Sequence, residues 1–107
     1  MAYRVETSNS ADQDMVEILE YFLKDLSSPK TARRFYNLLY ACYKRLQKSP
    51  FMYPLCRDDD LATQGFRCAP IMRYIVFYKI DEQTKYVNIY RIIHGMMDYR
   101  QMTFNSK

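Results

Sequence analysis

Two strand-like runs, residues 74–80 (Tyr-Ile-Val-Phe-Tyr-Lys-Ile) and 86–94 (Tyr-Val-Asn-Ile-Tyr-Arg-Ile-Ile-His), are separated only by the polar residues 81–85. Both are rich in β-branched and aromatic residues, so they read as a β-hairpin. The second run ends in His94 and Gly95, with Asp98 and Tyr99 just beyond. The hairpin therefore carries the chain's single histidine, an acid and a phenol to one end of a rigid element.

The residues before the hairpin must supply what covers it. Residues 3–7 read as a short first strand. Ser8 or Ser10 then caps a helix, and Ser10 with Gln13 fits a capping box. Ala11, Met15, Ile18, Leu19, Phe22 and Leu26 recur at helical spacing. The break Ser27-Ser28-Pro29 ends that helix, and Pro29 suits the first turn of a second one capped by Ser28. Ala32, Phe35, Leu39, Cys42 and Leu46 form its apolar stripe, and Ser49-Pro50 stops it.

The linker is too short for anything but an antiparallel helical hairpin. Its two stripes need a sheet to cover them. Residues 51–64 read as a loop, residues 66–69 as a short strand, and residues 96–102 as a final helical turn. The fold class is α+β: a helical hairpin on a small twisted antiparallel sheet, in the order β-α-α-β-β-β with a short C-terminal helix. One domain spans residues 1–107.

Composition narrows the function. At 49% apolar the chain can bury a core. No apolar run approaches the length of a membrane span, and no signal-peptide core follows the N-terminus, so a cytoplasmic location is expected. Cys42, Cys56 and Cys68 are widely spaced, and one histidine does not complete a zinc site with them. They read as three reduced thiols. Asp58, Asp59 and Asp60 read as a solvated loop, so neither a metal nor a small-molecule cofactor is expected.

Net charge is +4 and the pI about 9.0, which suits RNA, DNA or an acidic partner. From Asp12 to Asp25 there are five acids and one lysine, and from Lys30 to Arg57 seven bases and no acid. The two helices either neutralise each other or present a basic face.

Strand alternation puts Val87, Ile89, Arg91 and Ile93 on one face, and Asn88, Tyr90, Ile92 and His94 on the other. Arg91 then sits in an apolar row and needs either a carboxylate, such as Asp81 or Asp98, or a phosphate. Arg67 and Arg73 flank residues 68–72 and are placed to converge on a groove, where guanidinium forks grip phosphate oxygens. A metal-free ribonuclease needs such cations, together with a base and an acid. His94, Asp98 and Tyr99 are the candidates for those roles. Tyr74, Tyr78, Tyr86 and Tyr90 are placed either to stack on bases or to form cross-strand pairs. With two glycines there is no phosphate-binding loop, and no Ser-His-Asp or Cys-His signature appears.

Several motifs stand in a fixed order. Ser8-x-x-Ala11-x-x-Asp14-Met15-x-x-Ile18-x-x-Tyr21 follows the first strand. Ala32-x-x-Phe35, Leu46-x-x-Ser49-Pro50, Pro54 and Phe66-Arg67 come next. Arg73-Tyr-Ile-Val-Phe-Tyr-x-Ile80-Asp81 and Val87-x-Ile-x-Arg91-Ile-Ile-His94-Gly95-x-x-Asp98-Tyr99 close the series.

In these the chain resembles the RelE/ParE superfamily of toxins from type II toxin–antitoxin modules. The resemblance implies a growth-inhibiting toxin held by a cognate antitoxin protein. ParE-like members poison DNA gyrase; RelE-like members cut messenger RNA in the ribosome without a metal. The long helical hairpin and the His94-Gly95 ending look ParE-like. Met96 and Met97 stand where relatives often carry basic residues, which removes cations a ribonuclease would use. A degenerate toxin that only binds its antitoxin is a third possibility.

Overall fold

Ser8 turns the first strand into the first helix. The structure, a computed structural model, describes residues 2–96. Strand β1 (Arg4–Thr7) ends at Ser8, whose hydroxyl accepts the Ala11 N–H at 3.0 Å and so caps α1 (Asn9–Glu20). Ser10 lies inside the first turn instead of capping it. At Tyr21 the helix widens into a π-helical segment (Tyr21–Asp25). Ser27 then takes φ +48°, and Ser28 caps α2 (Pro29–Lys48) by accepting the Thr31 N–H at 3.2 Å.

The stripe expected on α2 is the one that is buried: Ala32, Phe35, Leu39, Cys42 and Leu46. Each large member contributes about 1.5–3 kcal/mol relative to an exposed side chain. Leu26, expected in the stripe of the first helix, is instead half exposed at 50%. The π-helical segment breaks the 3.6-residue period before reaching it.

Residues 50–66 hold more structure than a loop. They include a 3₁₀ turn (Pro50–Met52) and the short helix α3 (Asp59–Thr63). Asp58 accepts the Leu61 N–H at 3.1 Å, so the acidic run caps and begins a helix. Strands β2 (Arg67–Ile71), β3 (Tyr74–Asp81) and β4 (Tyr86–His94) complete a sheet of order β1-β4-β3-β2.

The α+β class and the element order are as expected, but the sheet is mixed where an antiparallel one was anticipated. β1 pairs parallel with β4, while β2–β3 and β3–β4 are antiparallel. The reason is the alternating path of the chain. β1 and α1 rise along β4, α2 descends, and its Gln47 carbonyl accepts the Tyr3 N–H at the base. β2 then rises, β3 descends and β4 rises, so the first and last strands share a direction.

The strict alternation expected along β4 also fails. Phe77 pairs with Arg91 but Tyr78 pairs with Ile89, so Tyr90 is an extra residue in a β-bulge. Val87, Ile89 and Ile92 thus face the helices. Ile93 joins Phe66 and Phe77 in a second cluster on the opposite face, beneath residues 56–66.

The expectation of three free thiols is overturned. Cys56 and Cys68 form a disulfide, and Cys42 remains a buried free thiol. Leu55 bridges to Arg67, and the Cys56 N–H donates to the Phe66 carbonyl at 2.9 Å. That pairing brings the two cysteine Cα atoms to 5.2 Å, within normal disulfide reach. The expected helical turn at residues 96–102 lies almost wholly outside the described residues. No helix among the described residues is long and apolar enough to cross a membrane.

Candidate functional site

The rising and falling path collects four turns at one end of the molecule. These are the π-helical exit of α1, the start of α2, the β2–β3 turn and the end of β4. Between them lies a groove of about 650 Å³ lined by Tyr21, Phe22, Leu26, Arg34, Met72, Arg73, Tyr74 and His94.

Its floor is aromatic. The rings of Phe22, Phe35 and Tyr74 pack edge to face, and Tyr74 also meets His94 at 5.2 Å between ring centres. Burial, then the neighbouring Tyr21, raises the Tyr74 pKa, so its phenol stays protonated at neutral pH. The rim carries two guanidiniums, Arg34 and Arg73, and the imidazole of His94.

Backbone geometry fixes Arg73 and His94 at this end. Tyr74 and His94 are register partners, and the Gly95 N–H donates to the Arg73 carbonyl at 2.8 Å. A Cβ at Gly95 would stand 3.3 Å from that carbonyl, so the close approach favours glycine. Nδ1 of His94 accepts the Met96 N–H at 3.0 Å, which leaves the proton of the neutral ring on Nε2.

The other sequence candidates are placed differently. Arg67 starts β2 at the opposite end of the sheet, where it donates to the Tyr53 carbonyl at 2.6 Å and lies 5.0 Å from the Phe51 ring centre. It does not converge with Arg73. β2 separates them along its length, and both Arg67 contacts are to residues of the segment after α2.

Arg91 is held by Asp14. Its Nε donates to Oδ2 at 2.7 Å and its second guanidinium nitrogen to Oδ1 at 3.0 Å, and the Ile92 N–H also donates to Oδ2 at 2.9 Å. These bonds raise the Arg91 pKa further. Of the two carboxylates expected from the sequence, Asp81 is engaged elsewhere: it accepts the N–H groups of Gln83 and Thr84 in the hairpin turn. Asp98 and Tyr99 lie outside the described residues.

The tyrosines of the hairpin behave mainly as packing residues. Tyr78 is fully buried and donates to the Pro50 carbonyl at 2.8 Å, and Tyr90 packs edge to face on Phe66. The sequence reading missed Tyr21, Leu26, Arg34 and Met72 as groove residues. The helical break at 27–29 signals a turn. Placing that turn beside His94 requires knowing that α1 runs alongside β4.

The sequence model for the ParE toxin of the type II toxin–antitoxin system parDE matches residues 5–99. The chain belongs to the ParE toxin family. Its fold is shared with solved toxin–antitoxin structures. A chromosomal ParDE system from P. aeruginosa matches with a TM-score of 0.68 at 15% identity, over 87% of this chain and 96% of that one. The RelBE2 toxin–antitoxin complex from Mycobacterium tuberculosis matches with a TM-score of 0.63 at 19% identity, over 88% and 99%. No curated protein matches the sequence. For this ParE-family toxin the groove at the His94 end is an apolar cleft with a cationic rim, and it suits an apolar segment that carries negative charge.

Proposed function

We propose that this ParE-family toxin arrests growth by binding DNA gyrase, and that a cognate antitoxin neutralises it. The observation that carries the choice of target is the dispersal of the arginines. Metal-free RNA cleavage needs cations converging on the scissile phosphate. Arg91 is committed to Asp14 and Arg67 sits at the far end of the sheet. Of the candidates among the described residues, Arg73 and His94 alone share the groove.

An apolar cleft is better suited to gripping a protein segment than to cleaving a phosphodiester. The antitoxin would lay a helical or extended tail into it, apolar side chains down and acids toward Arg34 and Arg73. Ribosome-dependent RNA cleavage is the rival reading. It draws support from Arg34, which adds a second cation beside Arg73 and His94. Induction of the toxin alone and beside the product of the neighbouring open reading frame tests the module. Growth arrest that the second protein relieves is expected. DNA breaks preceding loss of translation favour gyrase, and the reverse order favours RNA.

A further inference from the structure

Helix α2 holds six cations, Lys30, Arg33, Arg34, Lys44, Arg45 and Lys48, and no acid among its 20 residues. Among the described residues the ion pair is that of Asp14 with Arg91, and none of these six shares it. The buried stripe of α2 fixes which way the rest of the helix points. Arg33, Tyr36, Asn37, Tyr40, Lys44 and Lys48 follow one another at helical spacing along the outer face, and all are exposed.

The row is ordered. The rings of Tyr36 and Tyr40 are 48% and 56% exposed, lie parallel within 3°, and have centres 6.5 Å apart. The Lys44 ammonium lies 5.6 Å from the centre of the Tyr40 ring. The two rings are thus parallel along the row, and the Tyr40 ring lies beside a cation. Every side chain in the row is a hydrogen-bond donor, none is an anion, and no aliphatic anchor interrupts them.

Arg, Lys, Asn and Tyr donors are what nucleic-acid backbones are held by. A protein partner would need a desolvated apolar centre. The row spans about 22 Å at 1.5 Å per residue, and a duplex presents a rigid charge about every 1.7 Å of its axis.

We propose that the outer face of α2 is a sequence-independent docking surface for the phosphate backbone of duplex DNA. The surface lies on the solvent face of α2, apart from the groove, and does not depend on the gyrase reading. If that reading holds, it would keep the toxin on the polymer where gyrase works.

Fluorescence anisotropy of the full chain with a labelled DNA duplex tests the proposal. The expected Kd is about 10⁻⁶–10⁻⁴ M, the same for unrelated sequences, and weakens about 40-fold from roughly 50 to 200 mM salt if three phosphates are neutralised. The triple variant Arg33→Gln, Lys44→Gln, Lys48→Gln should weaken binding about tenfold or more. Lys24→Gln, Arg57→Gln, Lys85→Gln removes the same charge elsewhere and should leave binding within about threefold. Circular dichroism controls for folding, and Tyr40→Glu provides an independent disruption of the row. Three results would overturn the proposal: no binding, equal loss in both triple variants, or competition by polyglutamate as strong as by duplex. The last would assign the face to an acidic protein segment.

Discussion

Asp14 stands in for a missing strand beside Arg91. β1 ends at Thr7, where the Ser8 N–H donates to the Ile89 carbonyl at 2.9 Å and the Ser8 hydroxyl to the Tyr90 carbonyl at 2.8 Å. Beyond that point Asp14 on α1 accepts the Ile92 N–H while it grips the Arg91 guanidinium. One carboxylate thereby closes the edge of β4 and holds the arginine that follows the bulge. Asp14→Ala removes a bidentate carboxylate from the partly buried Arg91 guanidinium and the acceptor of the buried Ile92 N–H, so it should cost about 2–4 kcal/mol. Arg91→Met should cost less, because the carboxylate keeps the Ile92 N–H. Urea denaturation of both variants measures the difference, and equal losses would count against the edge-closing role.

The Cys56–Cys68 disulfide closes a short loop, with a sequence separation of 12. A loop of that length is worth about 3 kcal/mol through restriction of the unfolded chain. Cys56→Ser with Cys68→Ser should therefore lower the Tm by several degrees, and reductant should do the same to the parent chain. Calorimetry with and without reductant decides it. An unchanged Tm would show that the backbone pairing of residues 54–56 with β2 is sufficient.

Alkaline pH should loosen the core. Burial pushes the Tyr78 pKa up to about 12, and only its protonated phenol donates to the Pro50 carbonyl. The folded value lies above the unfolded value of about 10. The stabilisation is therefore intact below about pH 10 and is lost as pH rises through about 12. Burial moves Tyr43 in the same direction. Tyr78→Phe should cost about 1–2 kcal/mol at neutral pH and flatten the alkaline decline. Thermal melts from pH 8 to 12 follow both effects, and an unchanged alkaline slope in the variant would exclude Tyr78 as its source.

The stripe of α2 and the hairpin were legible because both follow simple periods of 3.6 and 2 residues. The departures are local or distant. The extra residue at Tyr90 shifts the register of β4 without a glycine to announce it. Asp14, which grips Arg91, lies 77 positions away, and no local pattern points to it. Cys56 and Cys68 meet because a segment without strand propensity pairs with β2. Arg67 and Arg73 are near in sequence, but an extended strand carries them to opposite ends of the sheet. Arg73 and His94 line one groove because hairpin register pairs the adjacent Tyr74 with His94.

The groove should matter through its floor more than through its titratable rim. Leu26→Asp or Met72→Asp places a carboxylate in an apolar contact surface and should abolish toxicity, with antitoxin affinity falling about 10²-fold or more. Arg73→Ala and His94→Ala should reduce toxicity only mildly. Growth curves on induction, with circular dichroism as a folding control, rank the four. Strong loss confined to Arg73→Ala and His94→Ala would indicate chemistry at the rim.

The most direct measurement compares two reconstituted targets with the same purified toxin. One reaction holds gyrase and supercoiled DNA; the other holds programmed ribosomes and messenger RNA. The account predicts inhibited supercoiling and trapped DNA breaks at stoichiometric toxin, relieved by the antitoxin, with messenger RNA left intact. Messenger RNA cleaved in the ribosome, with gyrase unaffected, would contradict it.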